Sequence, residues 1–156
     1  MDQPHVLLVE NSSGDRRLAE EAFRDANGAV TLDTSSNGAD AMAFLRREGA
    51  HVDAVRPAFI LLALSGLECR EVLALIKSDV DLKSIPTIVL GTSDAASDIV
   101  KCYDLKANCY MSKPEHYDGF ARLVRLLIDF WLTTAQRPSV DAVSGARSAS
   151  PIRACD

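Results

Sequence analysis

Phe59-Ile60-Leu61-Leu62-Ala63-Leu64 is an apolar run with no polar interruption. A strand with one face in water alternates apolar and polar residues. This stretch does not, so it reads as a central strand covered on both faces. Pro86-Thr87-Ile88-Val89-Leu90 has the same character, and His5-Val6-Leu7-Leu8-Val9 closes on the polar pair Glu10-Asn11. Two weaker segments, residues 30–34 and 108–111, complete a set of five strands.

Helical patterns fill the intervals. Ser12-Ser13-Gly14-Asp15 is a helix start, because a serine hydroxyl can accept from a first-turn N–H and the helix dipole favours an acid there. Leu18, Ala19, Ala22, Phe23 and Ala26 then share one face, and Asn27-Gly28 is the expected stop. Asn37-Gly38 opens a second helix with Ala41, Phe44 and Leu45 inward, followed by a loop over 49–57. Val72, Leu73 and Ile76 mark a third helix. Ser93-Asp94 is the expected cap of a fourth, which runs to about residue 105. Lys113-Pro114 ends the last strand, and a fifth helix is predicted over 117–133. Strands alternating with helices imply a parallel sheet with right-handed crossovers. The predicted fold is therefore α/β, a doubly wound five-stranded parallel sheet with five helices on its two faces. Its crevice lies beyond the carboxyl ends of the strands, where loops begin at Glu10, Ala63, Gly91 and Lys113.

The 156 residues suffice for one domain, expected over 1–134, with a disordered tail over 135–156 that is rich in Ser, Ala and Arg. A net charge of -5 argues against a broad nucleic-acid face, and the tail's Arg137, Arg147 and Arg153 are too scattered to make one. No apolar run reaches the roughly 18–20 residues of a membrane span. No basic-then-apolar leader opens the chain. Cys69, Cys102, Cys109 and Cys155 form no C-x-x-C pair, so reduced thiols in a cytoplasmic protein are expected. His5, His51 and His116 are too dispersed to suggest a shared metal or catalytic site.

The segments Leu7-Leu8-Val9-Glu10-Asn11-Ser12, Gly14-Asp15, Phe44-Leu45-Arg46-Arg47-Glu48-Gly49, Arg70-Glu71-Val72-Leu73, Pro86 with Ser93-Asp94, Asn108-Cys109-Tyr110, Lys113-Pro114 and Asp129-Phe130-Trp131-Leu132 carry a family likeness. Over residues 4–133 the chain resembles the receiver domains of two-component response regulators, a flavodoxin-like fold. Within them it is most similar to small stand-alone receivers that serve phytochrome-type histidine kinases. The resemblance implies an acidic pair after the first strand and an aspartate after the third, which together hold Mg²⁺. That aspartate also attacks the phosphoryl group. A hydroxyl residue after the fourth strand and a lysine after the fifth bind the phosphoryl oxygens. Such chemistry is mainly positioning and charge neutralisation.

The chain departs from the family at most of these places. Glu10 matches the first acid, Lys113 the lysine and Tyr110 the aromatic switch position. Asn11 stands where the second acid belongs, Ala63 where the nucleophile belongs, and Gly91 where the switch hydroxyl belongs. The loop after the third strand is about two residues short, and Lys106 replaces a usual helix-ending glycine. The resemblance also makes the Lys113–Pro114 bond a candidate for the cis form. Several departures in one crevice suggest drift, so Ala63 reads as native.

A methyl group cannot attack phosphorus. One carboxylate plus an amide is a poor Mg²⁺ site, so no cofactor and weak or absent Mg²⁺ binding are expected. Glu10 is the expected new partner of Lys113. The function implied is a pseudo-receiver, not an enzyme, that works through contact with a sensor histidine kinase or another response regulator; a bacteriophytochrome is one candidate kinase. The alternative is a conventional phosphorelay regulator with a relocated acceptor such as Ser65 or Glu68. A nucleotide-binding enzyme on a similar sheet ranks lower, since Asn11-Ser12-Ser13-Gly14 is neither a P-loop nor a dinucleotide fingerprint. A DNA-binding regulator lacks a visible effector region, and no DNA or membrane partner is expected. In the last helix Phe120, Leu123, Val124, Leu127 and Trp131 form the stripe facing the sheet. Leu126, Phe130 and Leu132 fall off it, so Leu126, Phe130, Trp131 and Leu132 are candidates for a homodimer interface.

Overall fold

The computed structural model describes residues 3–26 and 30–138. Five strands form one parallel sheet: β1 (His5–Val9), β2 (Thr31–Ser35), β3 (Phe59–Leu62), β4 (Thr87–Gly91) and β5 (Cys109–Ser112). Their spatial order is β2-β1-β3-β4-β5, with β3 central. The helices are α1 (Ser13–Asp25), α2 (Gly38–Arg46), α3 (Gly66–Ser78), α4 (Ala96–Asp104) and α5 (Tyr117–Ile128). The predicted doubly wound architecture is the observed one.

Side-chain alternation divides the core into two layers. Leu7, Val9, Ile60, Leu62 and Val89 pack toward α2, α3 and Cys102 of α4. Val6, Leu8, Phe59, Leu61 and Ile88 pack toward α1 and α5, against Phe23 and Phe120. Every residue of β3 is buried, which is why its sequence shows no alternation.

The caps explain where the helices start. The Ser12 hydroxyl accepts from the Asp15 N–H at 3.3 Å, and the Asn37 side chain accepts from the Asp40 N–H at 2.8 Å, both at expected positions. The expected cap of α4 is corrected. Ala95 holds the cap position without a side-chain bond, while the Ser93 hydroxyl accepts from the Ala95 N–H at 3.2 Å and donates to Asp98 at 2.8 Å. β4 begins at Thr87 because Pro86 has no N–H to donate. The loop after α2 contains one 3-10 turn, Gly49–His51. The predicted stop at Asn27-Gly28 lies outside the described residues, as do Cys155 and all of the tail beyond residue 138.

Lys106 adopts φ +73°, so a lysine does occupy a left-handed position, at a cost of about 1 kcal/mol. No peptide bond among the described residues is cis, so the Lys113–Pro114 bond is trans. The last helix is also corrected. It ends as α-helix at Ile128 and continues as a wider π-type turn, Asp129–Thr134, in which the Ala135 N–H reaches back five residues to the Phe130 carbonyl. Wider winding rotates the residues that follow. Trp131 and Leu132 become partly buried against the α1–α5 side of the core, while Leu126 and Phe130 stay 53% and 52% exposed. Two of the four interface candidates therefore face inward. No helix among the described residues is long and apolar enough to cross a membrane.

Candidate functional site

Each residue of the predicted crevice is fixed by a backbone bond at a strand end. The Glu10 N–H donates to the Ser35 carbonyl at 2.9 Å, the Ala63 N–H to Val9 at 2.8 Å, and the Lys113 N–H to Gly91 at 2.9 Å. The parallel ladder therefore brings residues from distant parts of the chain to one edge. A cavity of about 180 Å³ opens there, lined by Asn11, Ala63, Gly91, Tyr110, Lys113 and Arg70 among others.

Glu10 is almost completely buried yet fully occupied. One carboxylate oxygen accepts from the Ser12 N–H at 2.9 Å, and the other lies 2.6 Å from Lys113 Nζ. The expected Glu10–Lys113 pair is thus present. Asp15 joins it, at 2.7 Å from the same nitrogen. Burial works against the Lys113 ammonium, but its hydrogen bonds to Asp15 and Glu10 outweigh that and hold its pKa above the ordinary lysine value. Asp15 reads in the sequence as a helix-start acid only. Its position in the first turn of α1, close behind the end of β1, was the available signal.

Gly91 and Tyr110 form the second feature. Tyr110 pairs with Val89 in the β4–β5 ladder, and its ring reaches over Gly91, two residues further along β4. A Cβ at position 91 would lie 1.9 Å from the Tyr110 hydroxyl oxygen and 2.3 Å from its Cζ. That hydroxyl donates to the Ser93 carbonyl at 2.5 Å, joining β5 to the loop before α4. Burial raises the Tyr110 pKa, so the hydroxyl keeps its proton and remains a donor. The absent side chain at 91 is what makes room for the ring.

Ser65 lines the cavity at the start of α3, with no side-chain cap bond. Glu68 accepts from the Gly38 N–H at 3.2 Å, so it tethers α3 to the start of α2. Asp40 accepts from the Ser35 hydroxyl at 2.6 Å and pairs with His51 at 2.8 Å, and these bonds hold its carboxyl below the usual range. His5 of β1 pairs with Asp33 of the edge strand β2 at 2.7 Å, so His5 and His51 serve separate structural pairs. Cys69, Cys102 and Cys109 are free thiols, and burial pushes Cys69 up to about 12.

No group of three or more His, Cys, Asp or Glu side chains that could hold a metal ion occurs among the described residues. The crevice offers Glu10 and Asp15, but the Lys113 ammonium stands between them, Asn11 is neutral and Ala63 ends in a methyl group. That donor set does not fit Mg²⁺, which asks for hard oxygen ligands in an octahedral array.

A β2-β1-β3-β4-β5 sheet with an acid after β1 and a lysine after β5 defines a receiver-type domain. Comparison with known proteins agrees. Response regulator Rcp1 of Synechocystis is 38% identical over 136 residues, spanning 86% of this chain and 92% of that protein. Its Mn²⁺-bound crystal structure superposes with a TM-score of 0.77 over 87% of this chain and 99% of that one. The crystal structure of the phosphorylated cyanobacterial phytochrome response regulator RcpA is 41% identical, with a TM-score of 0.81 over 88% of this chain and 100% of that one. RPA3017, a response regulator in red light signalling of R. palustris, is 28% identical, with a TM-score of 0.79 over 87% of this chain and 99% of that one. No family model matches. The chain belongs to the response-regulator receiver family.

Proposed function

We propose that this chain is a pseudo-receiver: a cytoplasmic, non-enzymatic signalling module that accepts no phosphoryl group at the end of β3 and acts through protein contacts. One observation carries the reading. Ala63 stands at the strand end where the family places its nucleophile, and its methyl group lines the cavity beside Lys113. A carbon–hydrogen bond offers no lone pair to phosphorus. The lysine is already neutralised by Glu10 and Asp15, so it does not wait for an incoming anion. Weak or absent Mg²⁺ binding belongs to the same proposal.

The partner proposed is a sensor histidine kinase of the phytochrome type, because the similar proteins RcpA and RPA3017 are described as phytochrome and red-light regulators. A second copy of the chain is proposed to dock on the last helix around Leu126 and Phe130, the apolar residues left uncovered there.

Incubation with acetyl phosphate and Mg²⁺, followed by intact-mass measurement, is expected to show no phosphoryl adduct. An adduct of one phosphoryl group would overturn the proposal. Its loss on Ser65→Ala or Glu68→Gln would then assign the relocated acceptor.

A further inference from the structure

We propose that the Lys113 ammonium is the resident cation of the crevice, a tethered substitute for a metal ion, and that a divalent cation gains a site only when it is removed. This rests on the pseudo-receiver reading of the same strand ends. Lys113 Nζ is 2.6 Å from Glu10 and 2.7 Å from Asp15, and its side chain is 11% exposed. The Glu10 side chain is 2% exposed and cannot turn to water. Its other oxygen is taken by the Ser12 N–H. Two carboxylates in so small a volume repel each other and need a positive charge between them. The ammonium supplies it at hydrogen-bond distance without shedding a metal's waters. It is also covalently attached, so its local concentration does not depend on solution conditions. A metal ion would have to displace Lys113 from both carboxylates and would recover only two charged ligands.

Two features agree with this assignment. Asn11 and Ala63, the positions at which the family would add two more carboxylates, carry none. The single tethered charge thus faces two carboxylates and bonds both directly. The Lys113 backbone is also fixed to Gly91 by its N–H, which holds the root of the side chain at the site.

The test is a titration of the whole protein with Mn²⁺ alone, read by calorimetry and by paramagnetic broadening of the Asn11 and Ala63 amide signals. The wild-type protein is expected to show neither heat nor broadening at these residues up to about 1 mM, the weak end of carboxylate sites. Lys113→Met keeps the length and removes the charge. It is expected to bind Mn²⁺ on the order of a hundredfold tighter than wild type, and the double variant with Glu10→Gln to lose that gain. Should Lys113→Met be unfolded without metal, Mn²⁺ must restore its circular-dichroism spectrum. Broadening at Asn11 and Ala63 in the wild type, a folded Lys113→Met that binds no tighter, or an unfolded one that Mn²⁺ does not rescue overturns the proposal. The phosphodonor experiment reads mass rather than metal, so failure of the pseudo-receiver reading is seen separately.

Discussion

At position 91 the missing side chain has two consequences. It removes the hydroxyl that the family uses, and it admits the Tyr110 ring. The backbone there is not left-handed, so the demand for glycine is one of space. Gly91→Ala must push the ring aside and break its bond to the Ser93 carbonyl. Overpacking of this kind costs about 1–3 kcal/mol. Tyr110→Phe, which loses only the hydrogen bond, should cost about 1 kcal/mol. Thermal unfolding of the two single variants and the Gly91→Ala/Tyr110→Phe double variant measures the coupling. Strict additivity would show that the two residues do not act together. Lys113 makes a separate demand. Its folded-state pKa is raised above the ordinary 10.5. A raised lysine stabilises the fold fully below its unfolded pKa, and that contribution is lost as pH rises through the folded one. Denaturant midpoints should therefore fall above about pH 10.5 in the wild type, and the fall should be smaller in Lys113→Met, where the raised Tyr110 still contributes. At neutral pH the same substitution strands Glu10 and should cost about 3 kcal/mol, as broken buried pairs do.

Among the elements, the last helix departs from its sequence reading only past Ile128. Its apolar residues read as a continuous stripe through Trp131, on the assumption of 3.6 residues per turn. Trp131 does pack on the core as that stripe implies, but the π-type turn after Ile128 also brings Leu132 onto it, and no local motif in Asp129-Phe130-Trp131-Leu132 signals that turn. Phe130 and Trp131 then meet edge to face, with centroids 5.0 Å apart. The outer patch shrinks to Leu126 and Phe130, which lie one helical turn apart. If a second copy docks there, charging both residues (Leu126→Glu with Phe130→Glu) should shift the protein from dimer to monomer by sedimentation velocity. The melting temperature of the monomer should change little, because both side chains already face solvent. A wild-type protein that sediments as a monomer at high concentration would remove the dimer from the proposal. By contrast, β1 is legible to the residue and β4 to within one, while the apolar run of β3 continues two residues past the strand end at Leu62. Strands buried on both faces leave an unbroken apolar signature, and Pro86 marks where the β4 ladder can begin.

For the molecule as a whole, a parallel sheet places its strand ends along one edge, and Asn11, Ala63 and Gly91 fall on that edge, whereas Lys106 precedes β5 at the opposite one. The sequence by itself determined what those strand ends can do chemically: Ala63 has no nucleophile, Asn11 has no charge, and Gly91 has no hydroxyl, since these are properties of the residues and survive any fold. Alternating apolar runs and capped helices likewise settled the fold class, because periodicity is written locally. Only the tertiary structure decided which groups meet. Asp15 joins Lys113 from the opposite end of the chain, Tyr110 crosses over Gly91 from the neighbouring strand, and Glu68 of α3 caps the start of α2. Such contacts depend on sheet register and on sub-ångström packing between distant segments, and no spacing along the chain encodes those distances.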